Sequence, residues 1–457
     1  MNNPIISVSG VRGIVGESLT PDIVLKFGIS YGTYIKGDKK IVVGKDTRIT
    51  GDMVVNALIS GLLSVGCEVT YLGIAPTPTV QFLTRKLNFD GGIVVSASHN
   101  PIEWNAFKFY KKGGMLFDNN DNKKLLEIFN QKKYDFIDWR KYKKLNYDTK
   151  LPELHIKEVL SFIQNISSIK SKKFKVALDS CNAAGSFLTP MLLKELNCDL
   201  KTIYTSPNGY FPHNPEPIKN NLKDIIKFMK KNKCDVGFVQ DSDADRLAVL
   251  DEYGNFLSEE YTLALAVYYI LSEYDNINFL KKNYTKTVVT NLSTSKMIDD
   301  IASKFKVKVY RTPVGELNVA KEMITRKSVI GGEGNGGVIF PPVNYGRDSF
   351  SGIAIILQLL AKSNLKLSKI LNQLPKYYMI KTKFNIKNID VKKLFEKIKK
   401  ELPTKRINKD DGLKFEFDDS FVHIRVSNTE PIIRVVAEAP KKEKVKKLVE
   451  VIEKCVG

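Results

Sequence analysis

The stretch Gly92-Ile93-Val94-Val95-Ser96-Ala97-Ser98-His99-Asn100-Pro101 opens on four apolar residues and ends in a polar turn. A short apolar run closed by turn residues reads as a strand buried on both faces, the strand type of parallel sheets. Ser98 then stands just past the carboxyl end of that strand, where open α/β sheets hold their ligands.

Outward from this stretch the same alternation continues. Short β-branched runs over 40–44, 68–72, 92–96, 174–179, 235–240, 287–290 and 307–311 alternate with amphipathic stretches over 21–35, 51–65, 77–87, 185–196, 218–231, 261–274, 294–305 and 317–326. The pattern predicts an α/β fold in successive rounds of similar sheet-and-helix material, with no residue-level repeat. A chain of 457 residues exceeds what one core organises and predicts three or four domains. The polar, lysine-rich segment 131–152 and the turn-like segment 251–255 around Gly254 mark two boundaries, and a third falls near 374–378, after a helix expected over 351–363. Beyond it the pattern changes to helix 391–402, strands 413–417, 421–426 and 432–439, and helix 442–455, a small α+β module. The expected domains are 1–150, 151–253, 254–374 and 375–457.

A hydrophobic fraction of 43% with 26% charged residues is that of a soluble globular chain. The start MNNPIISVSGVRG has no basic region followed by an apolar core, and no run approaches the ~18 apolar residues of a membrane span, so a cytoplasmic protein is expected. Cys67, Cys181, Cys198, Cys234 and Cys455 are odd in number and lack zinc or redox spacing, which reads as reduced thiols. The net charge of +21 fits either a nucleic-acid surface or a lysine-rich surface that draws small anions. Runs such as Lys230-Lys231 and Lys441-Lys442 are short and sit among helix-spaced apolar residues, which favours solvated faces and predicts neither a nucleic-acid nor a membrane partner.

Four motifs carry chemistry. A serine hydroxyl is a weak nucleophile and needs an adjacent base or a pre-loaded phosphoryl group; His99 is its neighbour, but no Gly-x-Ser-x-Gly elbow surrounds Ser98. After the strand expected over 235–240 comes Asp241-Ser242-Asp243-Ala244-Asp245-Arg246, whose crowded carboxylates would repel one another without a cation. Oxygen ligands of this kind suit magnesium; the competing calcium loop, with Glu252 at its twelfth position, needs glycine at its sixth, where Arg246 stands. The run Gly331-Gly332-Glu333-Gly334-Asn335-Gly336-Gly337 is followed by Val338-Ile339-Phe340-Pro341-Pro342 rather than by a helix, so it reads as a loop offering Glu333 and Asn335 to hydroxyl groups. Finally, Arg425-Val426-Ser427-Asn428-Thr429-Glu430-Pro431, with Arg434 beyond it, sets two guanidinium groups beside short donors, a combination suited to phosphate.

In this order, and over essentially the whole chain, the motifs resemble those of the α-D-phosphohexomutase superfamily, which includes phosphoglucomutase, phosphomannomutase and phosphoglucosamine mutase. The resemblance implies four domains around a central cleft: three similar α/β units with mixed sheets and a smaller α+β carboxyl-terminal domain. It implies an isomerase-class enzyme that interconverts hexose 1-phosphate and 6-phosphate through a phosphoserine and a bisphosphate intermediate. The partners implied are a phosphosugar, Mg2+ and hexose 1,6-bisphosphate as activator, with the chain a monomer or homodimer. Ser98 would be the phosphoserine, and Asp241, Asp243 and Asp245 would hold magnesium together with the Ser98 phosphate. Lys108 matches a lysine proposed for proton transfer, Arg12 matches an arginine loop that enters the cleft, and Arg246 closes the metal motif. Thr312, Val314, Gly315, Glu333 and Asn335 would recognise the sugar, while Arg425, Ser427, Asn428, Thr429 and Arg434 would hold the phosphate that is not reacting.

Two positions depart from the family pattern. Ser242 replaces the glycine usual in the metal loop, and its side chain is expected to point away from the ion. Asn335 stands where serine is common, among glycines that replace bulkier residues. Because that loop resembles those of archaeal-type phosphoglucosamine mutases, glucosamine phosphate is the first expectation, with a dual-specificity phosphoglucomutase/phosphomannomutase as the alternative.

Overall fold

The computed structural model describes residues 4–7, 10–387, 389–427 and 430–457; Asn428 and Thr429 lie outside the described residues. The chain forms two compact units, one of residues 1–262 with 336–368 and one of residues 263–335 with 369–457.

In the first unit the strand Gly91–Val95 is buried throughout and pairs in parallel with Lys40–Lys45, which pairs in parallel with Glu68–Ile74. On its other side it meets Trp104–Lys111 in antiparallel register, so the serine turn is the loop of a long hairpin. The sequence pattern did not single out Trp104–Lys111, because both of its faces are buried and simple alternation is lost. Phe107 and Phe109 join a core with Phe27, Tyr31 and Phe117, while Lys108 projects from the opposite face. With Ile5–Ser7, Gly10–Ile14, Met115–Leu116 and Leu145–Tyr147 these strands make a mixed sheet of eight among the described residues.

The second sheet of this unit repeats the device. Asp199–Ile203, Lys175–Asp179 and Val236–Gln240 run parallel, and Val236–Gln240 then turns through the aspartate loop into its antiparallel neighbour Leu247–Leu250. Segment 251–255 is the next turn, held by Asp251, whose carboxylate accepts the Tyr253 and Asn255 amides. The helix expected over 218–231 divides into a 3-10 turn Lys219–Asn221 and a helix Lys223–Asn232.

In the second unit Thr285–Asn291 pairs in parallel with Val309–Thr312 and with Ser328–Glu333. A five-stranded antiparallel sheet follows, in the order Tyr378–Asn385, Ile432–Ala439, Phe421–Val426, Leu413–Glu416 and Ile407–Asn408 among the described residues. The helix Val391–Glu401 covers it because Val391, Leu394, Phe395 and Ile398 recur at helical spacing. Asp390 starts that helix by accepting the Lys392 and Lys393 amides. Leu394 and Ile398 are buried, each contributing roughly 1.5–3 kcal/mol. Among the described residues no helix is long and apolar enough to cross a membrane.

Candidate active site

Ser98 is buried and adopts a left-handed backbone with φ 49°. That conformation is uncommon for serine and persists only where its surroundings impose it. Here they do. Arg48, fully buried, spends its guanidinium on the turn: Nη2 donates to the carbonyls of Ser98 and Asn100 at 2.7 Å each, and Nη1 donates to those of Pro101 and Trp104 at 2.5 and 3.0 Å. Its Nε donates to Asp46 Oδ2 at 3.1 Å, and the same oxygen accepts the Ser96 hydroxyl at 2.6 Å. Ser96 Oγ in turn accepts the Ser98 amide at 2.9 Å.

The aspartate loop meets this turn directly. Ser98 Oγ donates to Asp241 Oδ2 at 2.8 Å, and Ser242 Oγ donates to the Ser98 carbonyl at 2.6 Å. The extra hydroxyl of Ser242 therefore ties the two loops together. Ligand oxygens of Asp241, Asp243 and Asp245 lie within 4.8 Å of one another, and all three residues are buried. Burial and the Asp245 and Asp243 carboxylates push the Asp241 carboxyl well above its ordinary range. Burial also acts upward on Asp243, but the Lys108 ammonium and the Thr77 hydroxyl outweigh it and hold that group low. Among the described residues the buried Oδ1 atoms of Asp243 and Asp245 have no hydrogen-bond partner, so this all-oxygen set fits a hard cation.

Cations ring the carboxylates. Lys108 Nζ stands 2.7 Å from Asp243 and 3.6 Å from Asp245, and Arg347 Nη2 donates to Asp245 at 2.5 Å. Arg246 lies 3.9 Å from Asp245 and 3.7 Å from Glu216. His99 Nδ1 is 3.4 Å from Ser98 Oγ, but Arg246 and burial depress the imidazole to about 2. The imidazole is thus a weak base beside the serine. Arg12 stands in the strand Gly10–Ile14 rather than in a loop, opposite Ala106 and hence on the same sheet face as Lys108.

The second unit holds the described residues expected from the sequence to recognise the sugar and its non-reacting phosphate. Glu333, buried at the end of Ser328–Glu333, accepts the Asn291 side-chain amide at 2.8 Å and the Gly315 backbone amide at 3.0 Å through Oε1. Thr312 is buried, and the Val314 amide donates to Asp411 Oδ2 at 2.8 Å. The Asn335 amide oxygen is buried and accepts no hydrogen bond among the described residues. Arg425 and Arg434 face each other across the pair Phe421–Val426 and Ile432–Ala439, and Lys383 is opposite Arg434 on the next strand. Asp411 lies 2.7 Å from Arg425 and Glu430 lies 3.7 Å from Arg434, so two carboxylates offset part of the repulsion within this cross-strand row. Ser427 follows Arg425 in the chain, its amide bonded to the Ile432 carbonyl at 2.9 Å.

Family models of phosphoglucomutase/phosphomannomutase match in sequence order: alpha/beta/alpha domain I over residues 4–135, domain II over 153–254, domain III over 258–378 and the C-terminal domain over 384–454. The chain belongs to this family. It is thus a phosphohexomutase of the isomerase class, built from the three α/β domains and carboxyl-terminal domain that the sequence predicts. This phosphohexomutase is 40% identical to a phosphoglucomutase/phosphomannomutase of Thermococcus kodakarensis, over 96% of both chains. It is 34% identical to a phosphoglucosamine/phosphogalactosamine mutase of Sulfurisphaera tokodaii, over 99% of both. In fold it resembles a crystal structure of a phosphoglucomutase/phosphomannomutase family protein from Burkholderia thailandensis, with a TM-score of 0.83, 24% identity and coverage of 99% and 98% of the two chains.

Sequence reading alone did not find Asp46, Arg48, Thr77, Arg347 or Asp411. One signal was present for the first two. Lys45-Asp46-Thr47-Arg48 follows the apolar run 40–44 just as the serine turn follows 92–95, a charged pair at the carboxyl end of a neighbouring buried strand.

Proposed function

We propose that this phosphohexomutase interconverts the 1- and 6-phosphates of glucose and mannose through a phosphoryl group carried on Ser98 Oγ. The observation that carries the reading is the Ser98 hydroxyl on Asp241 beside two carboxylates with unsatisfied oxygens. Asp241, Asp243 and Asp245 would hold Mg2+ with the Ser98 phosphate, and the ion supplies positive charge against the transferring phosphoryl oxygens.

The chain's own groups do the rest. In the transfer the bond between phosphorus and Ser98 Oγ breaks while one from phosphorus to a sugar hydroxyl oxygen forms. The hydroxyl proton leaves to a base, and the departing Ser98 oxygen is protonated. Lys108, paired with Asp243, is placed as a proton donor in one direction and, once deprotonated, as an acceptor in the other. Arg12, Arg246 and Arg347 add fixed positive charge. Glu333, Asn335 and the 312–315 loop recognise sugar hydroxyls, and Arg425, Ser427 and Arg434, with Asn428 and Thr429 by resemblance, take the phosphate that is not reacting. A hexose 1,6-bisphosphate is the intermediate and the activator that primes Ser98. The five free thiols accord with a cytoplasmic protein, and no nucleic-acid or membrane partner is part of this reading.

The order of the substrates follows the identities, 40% to the glucose/mannose relative against 34% to the amino-sugar relative. A second reading, glucosamine phosphate, is favoured by the glycine-rich loop around Glu333 and Asn335. Initial rates on glucose, mannose and glucosamine 1-phosphates, with Mg2+ and the matching bisphosphate, decide between them. The expected result is comparable turnover of the first two and none by Ser98→Ala. Activity of Ser98→Ala near that of the wild type would defeat the mechanism.

A further inference from the structure

Asp411 joins two segments, those of Val314 and Arg425, that the sequence separates by more than a hundred positions. Its Oδ2 accepts the Val314 amide at 2.8 Å and forms an ion pair with Arg425 Nε at 2.7 Å. Its own backbone is fixed by His423, whose Nε2 donates to the Asp411 carbonyl at 2.7 Å while Nδ1 accepts the Ser293 hydroxyl at 2.8 Å. Burial keeps that imidazole neutral, at about 4, and the Asp411 carbonyl, which can only accept, places its one proton on Nε2. One residue along from Val314, the Gly315 amide is held by Glu333. An unbroken path therefore runs within the second unit from Glu333 through residues 315 and 314 to Asp411 and on to Arg425.

We propose that Asp411 is a positioning residue that couples Arg425, in the phosphate-binding loop, to the sugar-recognition loop 312–315. The inference rests on the roles given to those two loops above. A carboxylate that shares one oxygen between a guanidinium and a backbone amide cannot move with one partner and leave the other in place. When a substrate phosphate takes up Arg425, it competes with Asp411 for the same cation, and the Val314 amide responds. The enzyme must accept a sugar phosphate in two orientations, and a link between phosphate occupancy and the sugar loop lets the loop respond when a phosphate is seated.

The test compares the full-length wild type with Asp411→Asn and Asp411→Ala, using inorganic phosphate as the probe and amide hydrogen exchange over 312–316 as the readout. Asp411→Asn keeps an oxygen for the Val314 amide and removes the charge from Arg425. In the wild type, phosphate should change exchange in this segment, and the response should vanish in Arg425→Ala. In Asp411→Ala exchange without phosphate should be about tenfold faster, as loss of a hydrogen bond to a charged acceptor implies, and phosphate should no longer alter it. Asp411→Asn should retain much of the protection and lose the phosphate response. The kinetic counterpart is a changed ratio of kcat/KM between glucose and mannose 1-phosphates in Asp411→Ala, with a smaller change in Asp411→Asn. Exchange that rises evenly across 285–333 would make Asp411 merely structural, and a wild-type segment indifferent to phosphate would overturn the coupling. If the wild type turned over no hexose phosphate, the proposed function would fall while the exchange experiment still decided the role of Asp411. Should Asp411→Ala not fold, Asp411→Asn carries the same decision.

Discussion

Replacing Arg48 by methionine removes the brace of the serine turn, and its cost can be worked out from the contacts. Asp46 would lose its buried counter-ion, a change that costs about 3–5 kcal/mol when one partner of a buried pair is deleted. Burial already pushes the Asp46 carboxyl upward, so the group would take a proton and hold the loss near the lower figure. The Ser98 carbonyl keeps the Ser242 hydroxyl and the Pro101 carbonyl keeps the Trp104 amide, but the Asn100 carbonyl has no other donor among the described residues. Asn100 is half-buried, so losing the donor to its carbonyl adds about 1–2 kcal/mol, the lower part of the range for an unsatisfied group. The total is about 5 kcal/mol, a large part of the roughly 5–15 kcal/mol that holds a domain folded, and it corresponds to a drop in Tm on the order of 10 °C. Arg48→Lys keeps the charge beside Asp46 but presents one ammonium in place of the planar fork, and should fall between the two. Scanning calorimetry follows stability, and phosphopeptide mass spectrometry after incubation with hexose 1,6-bisphosphate follows loading of Ser98. Both should decline in the order wild type, lysine, methionine. A methionine variant with wild-type Tm and wild-type loading would refute the argument that this side chain fixes the turn.

Two further predictions concern buried titrating groups. His213 lies 3.0 Å from Asp179; burial alone would depress it, but Asp179 and Cys181 raise it to about 11. A folded value above the unfolded one gives stabilisation that is complete below about pH 6.5 and lost as pH rises toward 11, at up to about 1.4 kcal/mol per pH unit. The Tm gap between wild type and His213→Gln should therefore be widest near pH 6 and narrow by pH 10, and a constant gap would count against the pairing. Lys414 is buried, and desolvation, with Arg311 adding to it, lowers the ammonium to about 7. Here the unfolded chain binds the proton more tightly, so folding is penalised below pH 7 and relieved as pH rises toward 10.5. Lys414→Met should raise Tm at pH 6, with the advantage fading at high pH; a lower Tm at pH 6 would show that the Glu416 pair, at 3.1 Å, outweighs desolvation.

The parallel strands and the four motifs were legible because each is local. Gly91–Val95 and Val236–Gln240 are apolar runs with nothing ambiguous about their faces, and the carboxylates of Asp241, Asp243 and Asp245 crowd together in the chain before they crowd in space. The strand Trp104–Lys111 was not, because Phe107 and Phe109 face the core while Lys108 faces the aspartates, which mixes a buried charge into an aromatic run. Strand Tyr378–Asn385 alternates on an exposed edge next to the expected boundary at 374–378, and the sequence pattern assigned it no element. Arg48 and Asp411 escaped for a different reason. Their partners lie about fifty and a hundred positions away, and although the Asp46–Arg48 pair marks a strand end, nothing local to it or to Asp411 shows which distant loop supplies those partners.

The left-handed backbone of Ser98 connects these observations to the chemistry. Holding a serine there costs of order 1–3 kcal/mol, and the hydroxyl would gain nothing from it in an isolated turn. In this fold the conformation is imposed from three directions: by the Arg48 fork on the carbonyls of the turn, by Ser96 on the Ser98 amide and by Ser242 on the Ser98 carbonyl. The strain is thus met in folding, before any sugar binds, and Oγ is aimed at Asp241 from the outset. For phosphoryl transfer, where fixed charge and alignment supply most of the catalysis, such placement matters more than the intrinsic reactivity of the hydroxyl. It also explains why a neutral, weakly basic His99 beside the serine is no defect. In the proposed cycle the nucleophile is a sugar hydroxyl attacking a phosphorylated Ser98 or the freed Ser98 hydroxyl attacking a bisphosphate; each gives up its proton as the bond to phosphorus forms, and Lys108, 2.7 Å from Asp243, is the group placed to take it in place of the imidazole.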